Sequence, residues 1–411
     1  MTQPGTGTKR FSAVSEITGL AVWEMLSRSA NDRREWLDRT HIELTEIPAP
    51  TFREAARAQY CANKFRELGL PRVHVDDVGN VLAERPGLDA NCIALTAHLD
   101  TVLPPGIPVE VKRLDGLLCA PGISDNGAGL ATLLGAAALL SESSIVTGLS
   151  LLFVANVGEE GEGDLAGVRH LFSTRDMCRR TKGVIVLDGS SVQQTATAGL
   201  GSRRFLVEIA GPGGHSWSDF GRVNPIHALA SAIATLRGIR LPDDPRTSLN
   251  IGLIHGGTAV NAIPQSAWMK IDIRSTNPEE IERLSGEMET AVRNAVDAEQ
   301  RVSCGKLESR ITMIGNRPAA ELPHSARIRQ VIRDVDRHLG IRGRFETSST
   351  DANIPLSLGI EAIATGGGGT GGDAHTENEW YDPQGRELGL KRIMLAALAL
   401  AGVVEERSPS Q

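Results

Sequence analysis

The chain alternates short apolar runs with amphipathic stretches, and several apolar runs of its first half lead into acidic or imidazole residues. The runs at 72–75, 81–84, 93–97, 150–155 and 183–187 are rich in Val, Ile and Leu and bounded by turn residues, which predicts strands. Helical spacing predicts helices over 16–47, 52–68, 127–141 and about 164–173. The first two are separated by IPAPT at 47–51, whose prolines cannot stay helical. Thr51, with Glu54 three residues later, reads as a capping box. Such alternation predicts an α/β fold with a mixed, mainly parallel sheet flanked by helices. Ligand sites of these sheets gather outside the carboxyl ends of strands, where His98, Glu159 and Asp188 fall.

After Asp188 the pattern changes. A strand is predicted over 203–210, and Asn224-Pro225 opens a helix with Ile226, Leu229, Ile233 and Leu236 on one face. Strands over 248–253 and 267–273 follow. A long helix from Pro278 then carries Ile281, Leu284, Met288, Val292 and Val296 on one stripe, and a strand over 310–314 closes the block. This β-α-β-β-α-β order predicts an inserted ferredoxin-like α+β domain. The expected organisation is a catalytic domain built from 1–198 and 314–411, interrupted by a second domain over 199–313. Glycines at both crossings, 199–201 and 314–316, supply permissive backbone for a hinge.

A length of 411 residues agrees with two domains, and aromatics at 4% demand a largely aliphatic core. The net charge of −7 without a basic run argues against nucleic acid and anionic membranes as partners. Five scattered cysteines, never spaced as C-x-x-C, argue against a disulfide framework or a thiolate zinc site and favour a reducing compartment. Residues 1–15 are polar, so no signal peptide is visible, and the apolar stretch 128–140 falls short of the roughly 20 residues of a membrane span. A soluble, cytoplasmic protein is expected.

Five acidic or imidazole positions stand out together: His98, Asp125, Glu160, Asp188 and His375, with Asp100 and Glu159 beside two of them. Each has a plain alternative. HLD at 98–100 can be a surface loop, Asp125 a helix N-cap, and Glu159-Glu160 a solvated turn. Asp188 can cap a turn, and His375 can be an exposed loop histidine. Together they read differently. In an extended HLD segment the Asp100 carboxylate can orient the His98 imidazole. Asp125, among Gly122, Gly127 and Gly129, sits where a carboxylate can bridge two cations. Adjacent carboxylates repel unless cations or protons intervene, so a two-ion site gives Glu160 the work of a ligand and Glu159 that of a base. Mixed imidazole and carboxylate donors suit zinc, cobalt or manganese.

The chain resembles the co-catalytic di-zinc exopeptidases, the family of tripeptidase T, glutamate carboxypeptidases, acetylornithine deacetylase, succinyl-diaminopimelate desuccinylase and aminoacylase. The resemblance spans roughly 35–405 and rests on ordered motifs: IPAP at 47–50, DVGN at 77–80, HLDTV at 98–102, GISDNGAG at 122–129 and GEEG at 158–161. LDG at 187–189, GPGGHS at 211–216, GTAVNAIP at 257–264 and DIR at 272–274 continue the series. It implies two divalent metal ions, Zn2+ or alternatively Co2+ or Mn2+, with Asp125 bridging. His98 and Asp188 would complete one site, and Glu160 and His375 the other. Glu159 would be the general base, deprotonating a water held between the ions, and Asp100 a supporting residue. The inserted domain would be a lid that also forms a homodimer. In it His215 would reach the scissile carbonyl oxygen, and Asn261 and Arg274 would hold the substrate. Asn126 stands where many members carry Asp, and little consequence is expected. Asp188, rather than Glu or His, leans the resemblance towards a small-peptide hydrolase of aminopeptidase, dipeptidase or tripeptidase type. An N-acyl amino acid deacylase, another amidohydrolase or an inactive binding homologue are the alternatives.

Overall fold

The computed structural model describes residues 8–406. Positions 1–7 of the polar amino-terminal stretch lie outside the described residues. Two compact units result, Met1–Gly199 with Glu321–Gln411, and Leu200–Ala320.

The first unit is built on a nine-stranded mixed sheet. Its spatial order runs Gln194–Gly199, Ala362–Thr365, Thr181–Leu187, Asp89–His98, Leu149–Asn156, Val81–Arg85 and Arg72–Val75. Arg344–Ser348 pairs in parallel with the first of these, and the two-residue strand Ala320–Glu321 lies at its edge. The four strands from Ala362–Thr365 to Leu149–Asn156 are parallel, whereas Val81–Arg85 and Arg72–Val75 turn antiparallel. Ile93 to His98 is buried without interruption, as a parallel strand covered on both faces requires. Register aligns the strand ends: His98 stands opposite Asn156, and Thr96 opposite Val186. Three adjacent carboxyl ends therefore open on one edge of the sheet.

Gly129–Glu142 and Arg386–Ala401 are buried almost all round and cover this sheet. With its preceding turn, the first of these extends over Ile123–Glu142. That is 20 residues and apolar enough to cross a membrane by length and composition, but 94% of its most apolar 18-residue window is buried within the protein. Gly135 admits the neighbouring helix, because a Cβ there would lie 2.6 Å from Leu37 Cδ2.

Two local expectations are corrected, and one small sheet is new. The predicted helix 16–47 is three helices, Val14–Ile17, Ala21–Asp32 and Arg34–Thr45, broken by a turn through Gly19 and again at Arg33, whose ψ of 6° leaves the helical region. The capping box does not form. Glu54 is itself the N-cap of Ala55–Glu67, and Thr51 Oγ1 donates instead to Asp100 Oδ2 at 3.0 Å. Glu54 Oε1 accepts from the backbone of Phe52 (3.0 Å) and Gly158 (3.2 Å), because buried loop amides need partners more than an accessible helix end does. Finally, a small four-stranded sheet of Lys112–Leu114, Leu117–Cys119, Trp380–Asp382 and Thr370–Gly372 was not legible, since three-residue strands carry no period.

The second unit is a four-stranded antiparallel sheet, ordered Thr247–Gly256, Ser266–Ser275, Gly201–Ala210, Glu308–Arg317. Helices Pro225–Arg237 and Pro278–Val302 pack on it, the arrangement expected of an inserted split βαβ domain. Phe205, Val207 and Ile209 meet Met269 and Ile271 from the strands and Leu229, Leu284, Met288 and Val292 from the helices in one core. Asn224 and Asn277 cap the two helices, accepting from Ile226 N at 2.9 Å and Glu279 N at 2.8 Å, with proline following each. The second crossing does not fall at Gly315. That glycine pairs with Arg204 inside the ten-residue strand Glu308–Arg317, and the unit ends at Ala320.

Candidate metal centre

His98 ends its strand, Asp188 is the first residue beyond Leu187, and Glu159 and Glu160 follow Asn156 by three and four residues. Asp125 comes from the turn Ile123–Ala128, which contains a cis peptide between Asp125 and Asn126. His375 comes from the loop between Thr370–Gly372 and Trp380–Asp382. These five chain segments converge. His98 Nε2 lies 3.1 Å from Asp125 Oδ1 and 3.7 Å from Asp188 Oδ1. His375 Nε2 lies 3.1 Å from Asp125 Oδ2 and 3.0 Å from Glu160 Oε1. Asp125 thus spends one oxygen on each imidazole. Ligand atoms of His98, Asp125 and Asp188 lie within 4.8 Å of one another, as do those of Asp125, Glu160 and His375, and those of His98, Glu159 and Glu160.

The donor set fits two divalent ions: nitrogen and oxygen atoms only, in two clusters sharing one carboxylate. The imidazole orientation fits as well. His98 Nδ1 donates to the carbonyl oxygen of Asp100 at 3.1 Å, which leaves Nε2 turned into the cluster as a ligand atom.

Asp100 does more than expected. Its main-chain oxygen accepts from His98 Nδ1, its carboxylate lies 3.5 Å from the same nitrogen, and that carboxylate has further partners. Asp100 Oδ1 accepts from Glu159 N at 3.0 Å, and Oδ2 from Glu160 N at 2.8 Å and from Thr51. A fully buried carboxylate therefore holds the backbone of the Glu159–Glu160 turn. Burial would raise its pKa, but hydrogen bonding to His98 and the two amides lowers it below the ordinary aspartate value. Arg57, itself buried, clamps the same region by donating to the carbonyls of Leu99 (2.8 Å), Ile47 (3.0 Å) and Thr45 (3.2 Å).

Protons compete with cations here. Burial alone would lower the His98 pKa, yet hydrogen bonds to Asp100, Asp125 and Asp188 raise it well above the usual value. Asp125, which burial would raise, is lowered by hydrogen bonds from His375 and His98. Hydrogen bonds to Asp125 and Glu160 push His375 up to about 10. A ligating imidazole must be neutral, so metal uptake has to displace the His375 proton below that pH. Zinc binding to metal-free protein is accordingly expected to release protons and to weaken as pH falls from 8 to 6. Calorimetry in buffers of different ionisation enthalpy checks it, and pH-independent uptake would contradict this arrangement.

In the second unit the His215 and Asn261 loops are brought together. His215 pairs with Ala262 in a two-stranded ladder, and Ser216 N donates to Asn261 O at 3.0 Å. His215 Nδ1 accepts from the amides of Trp217 (3.2 Å) and Ser218 (3.4 Å), so the ring proton sits on Nε2. Arg274 is not with them. It lies eight residues along the strand from Ser266, the end next to the His215 loop, which is roughly 25 Å at 3.3 Å per residue. There it pairs with Asp272 at 2.6 Å.

A model of the peptidase dimerisation domain matches residues 198–299, and one of peptidase family M28 matches 80–211. The second match carries His98, Asp125, Glu159, Glu160 and Asp188, the acidic and imidazole residues that meet at the strand ends. The chain belongs to the M20/M28 co-catalytic metallopeptidase family. It is a peptidase-like metallohydrolase of that family, whose members use a dinuclear metal centre. It is 25% identical to the uncharacterized protein YqjE of Bacillus subtilis over 381 residues, 89% of this chain and 96% of that one. It is 30% identical to succinyl-diaminopimelate desuccinylase of Corynebacterium glutamicum over 240 residues, 56% of this chain and 64% of that one. A tripeptidase structure from Staphylococcus aureus superposes with a TM-score of 0.74 at 24% identity, covering 90% of this chain and 98% of that one, a likeness of fold.

Three residues do supporting work that the family's motifs do not disclose. Glu379, four residues after His375, is buried and accepts from Ser124 N (2.7 Å), Asp125 N (2.7 Å) and Gly122 N (2.8 Å), clamping the Asp125 turn. Burial pushes its carboxyl up to about 6. Its only sequence signal was a second glutamate in the HTENE segment at 375–379. Asn126 has more consequence than expected. It donates through Nδ2 to Leu187 O at 2.8 Å and accepts from Gly189 N at 3.1 Å, tying the Asp125 turn to the strand end that carries Asp188. Asp351 is fully buried and accepts from Asn156 Nδ2 at 2.7 Å. Burial pushes its carboxyl up to about 7, with the His98 charge opposing. Nothing local in the sequence marks it.

Proposed function

We propose that this protein hydrolyses the amide bond of short peptides, as an aminopeptidase or a di- or tripeptidase. The observation that carries the reading is Asp125, with one oxygen 3.1 Å from each of two imidazoles that belong to separate carboxylate clusters. His98, Asp125 and Asp188 would hold one ion, and Asp125, Glu160 and His375 the other. When bound, the two ions would polarise the amide carbonyl and acidify the attacking water. Glu159 is held by its backbone on Asp100, and its side chain takes the proton from that water and returns it to the leaving amine. The Nε2 proton of His215 is available to donate to the developing oxyanion. Asn261 and Arg274 bind the substrate backbone or carboxylate. The match to a peptidase dimerisation domain over 198–299 supports a homodimer formed through the second unit. Asp188 at the fourth ligand position supports a peptide substrate.

The similarity to the desuccinylase supports a second reading, an N-acyl amino acid deacylase of the same chemistry. The test is a panel of dipeptides, tripeptides and N-acyl amino acids with zinc, cobalt and manganese. Hydrolysis of peptides above acyl amino acids is expected, and the reverse order would transfer the assignment to the second reading. His215→Ala should lower turnover by about 10²–10³ at wild-type metal content, the usual effect of losing one oxyanion donor. Full activity would remove His215 from the mechanism.

A further inference from the structure

Two imidazoles are buried among the described residues, His98 in the metal centre and His41 behind it. His41 belongs to the helix Arg34–Thr45, and its ring packs against the turn Ile123–Ala128 that presents Asp125. Its Nε2 stands 2.6 Å from the carbonyl oxygen of Ile123. A Cβ on Gly127 would lie 2.9 Å from the same nitrogen. The ring therefore meets the turn two residues before Asp125 and two residues after it.

The tautomer is fixed from the far side of the ring. Arg386 Nη2 donates to His41 Nδ1 at 3.4 Å, which places the ring proton on Nε2 and makes that nitrogen the donor to Ile123. Arg386 is itself buried and donates through Nη1 to Asp38 Oδ1 at 2.6 Å. Burial and the Arg386 charge hold the His41 pKa well below the usual value, with the Ile123 carbonyl opposing, so the ring stays neutral. Tyr381 meets it edge-on, with 4.8 Å between ring centroids. Asp38, Arg386 and His41 are thus committed in series to one main-chain oxygen. An apolar side chain would fill the same space without the cost of desolvating an imidazole and a guanidinium.

The turn needs such support. Asp125 (φ −113°, ψ 94°) and Asn126 (φ −124°, ψ 37°) leave the helical region, so regular helix geometry does not set the direction of the Asp125 side chain. Glu379 takes the amides of Gly122, Ser124 and Asp125, and His41 supplies the complementary donor to a carbonyl of the same turn.

We infer that His41 is a positioning residue of the metal centre: its Nε2 proton holds the Ile123 carbonyl and so fixes the direction in which Asp125 presents an oxygen to each ion. This inference rests on the two-ion reading above and adds a residue that touches neither ion.

The experiment titrates zinc into metal-free, full-length wild type, His41→Leu and His41→Gln in competition with a chromogenic chelator, and records the melting temperature of each metal-free protein. Leu fills much of the space of the ring without a donor, and Gln keeps an N–H at similar reach. Zinc affinity should fall about 10–100-fold in His41→Leu, the scale for groups that orient ligands from behind, and return to within about threefold of wild type in His41→Gln. A His41→Leu affinity within about threefold of wild type, with only the melting temperature lowered, makes the ring a packing element and overturns the inference. Equal loss in both variants overturns it too, because the donated hydrogen bond would then not carry the effect. Wild type that takes up no zinc would sink the two-ion reading, and the inference with it. If neither variant folds, nitrogen NMR of wild-type protein with isotopically labelled histidine decides. The buried neutral ring protonated on Nε2 is His41, since His98 carries its proton on Nδ1. An Nε2 proton resonance that moves on zinc addition upholds the inference. A His41 proton on Nδ1, or a resonance indifferent to zinc, overturns it.

Discussion

Replacing Glu159 by Gln is expected to lower turnover by about 10²–10⁴ and to leave metal content at the wild-type level, the range set by loss of a general base. Glu159 is buried, and its ligand atom groups with those of His98 and Glu160, at the mouth of three parallel strands. Its place is set by its main chain, which donates to Asp100 Oδ1, so the substitution leaves that anchor intact. Gln nearly matches Glu in size but cannot accept a proton and carry it to the leaving amine. Steady-state kinetics beside elemental analysis separate the two effects. Wild-type turnover would make Glu159 a bystander, and loss of metal together with rate would make it a ligand.

Asp125→Ala should reduce the zinc stoichiometry at saturation from two per chain to at most one, with turnover falling by about 10³ or more. One bound ion supplies several kcal/mol of transition-state stabilisation, and each 1.36 kcal/mol is a factor of ten in rate. The two Asp125 oxygens face different imidazoles, so deletion removes a ligand from both clusters at once. The turn itself should persist, because Glu379 holds it through the amides of Gly122, Ser124 and Asp125 rather than through the Asp125 side chain. Circular dichroism and thermal melting check that persistence. Two equivalents of zinc retained in Asp125→Ala would end the bridging assignment.

Much of the architecture was legible because its signals are local. The strands leading to His98, Glu159 and Asp188 are continuous apolar runs, the form a parallel strand buried on both faces must take. The lid order followed from helix stripes and asparagine-proline starts, which need no distant partner. The candidate ligands were legible for a related reason: each lies at a strand end or beside a glycine turn, and together they form a recognisable donor set.

What stayed hidden depends on partners far away in the chain. Thr51 and Glu54 have the spacing of a capping box, yet a buried Asp100 and the Phe52 and Gly158 amides outcompete the helix end for them. Asp100 looked like the carboxylate partner of His98, but its carbonyl shares that work, and its carboxylate also holds the amides of residues 59 and 60 positions away. Glu379 and Asp351 lie more than 190 residues from their partners, Ser124 and Asn156, and nothing in their local pattern marks them as groups that clamp those distant segments. Arg274 shows the converse. The resemblance gives it and Asn261 one substrate to hold, but eight residues of strand carry it roughly 25 Å from the strand end next to the His215 loop. Periodicity and turn chemistry act over a few residues and so set the elements and their order. Which buried donor meets which acceptor is a competition among groups that only the folded chain brings within 3 Å, and the tertiary structure decided it.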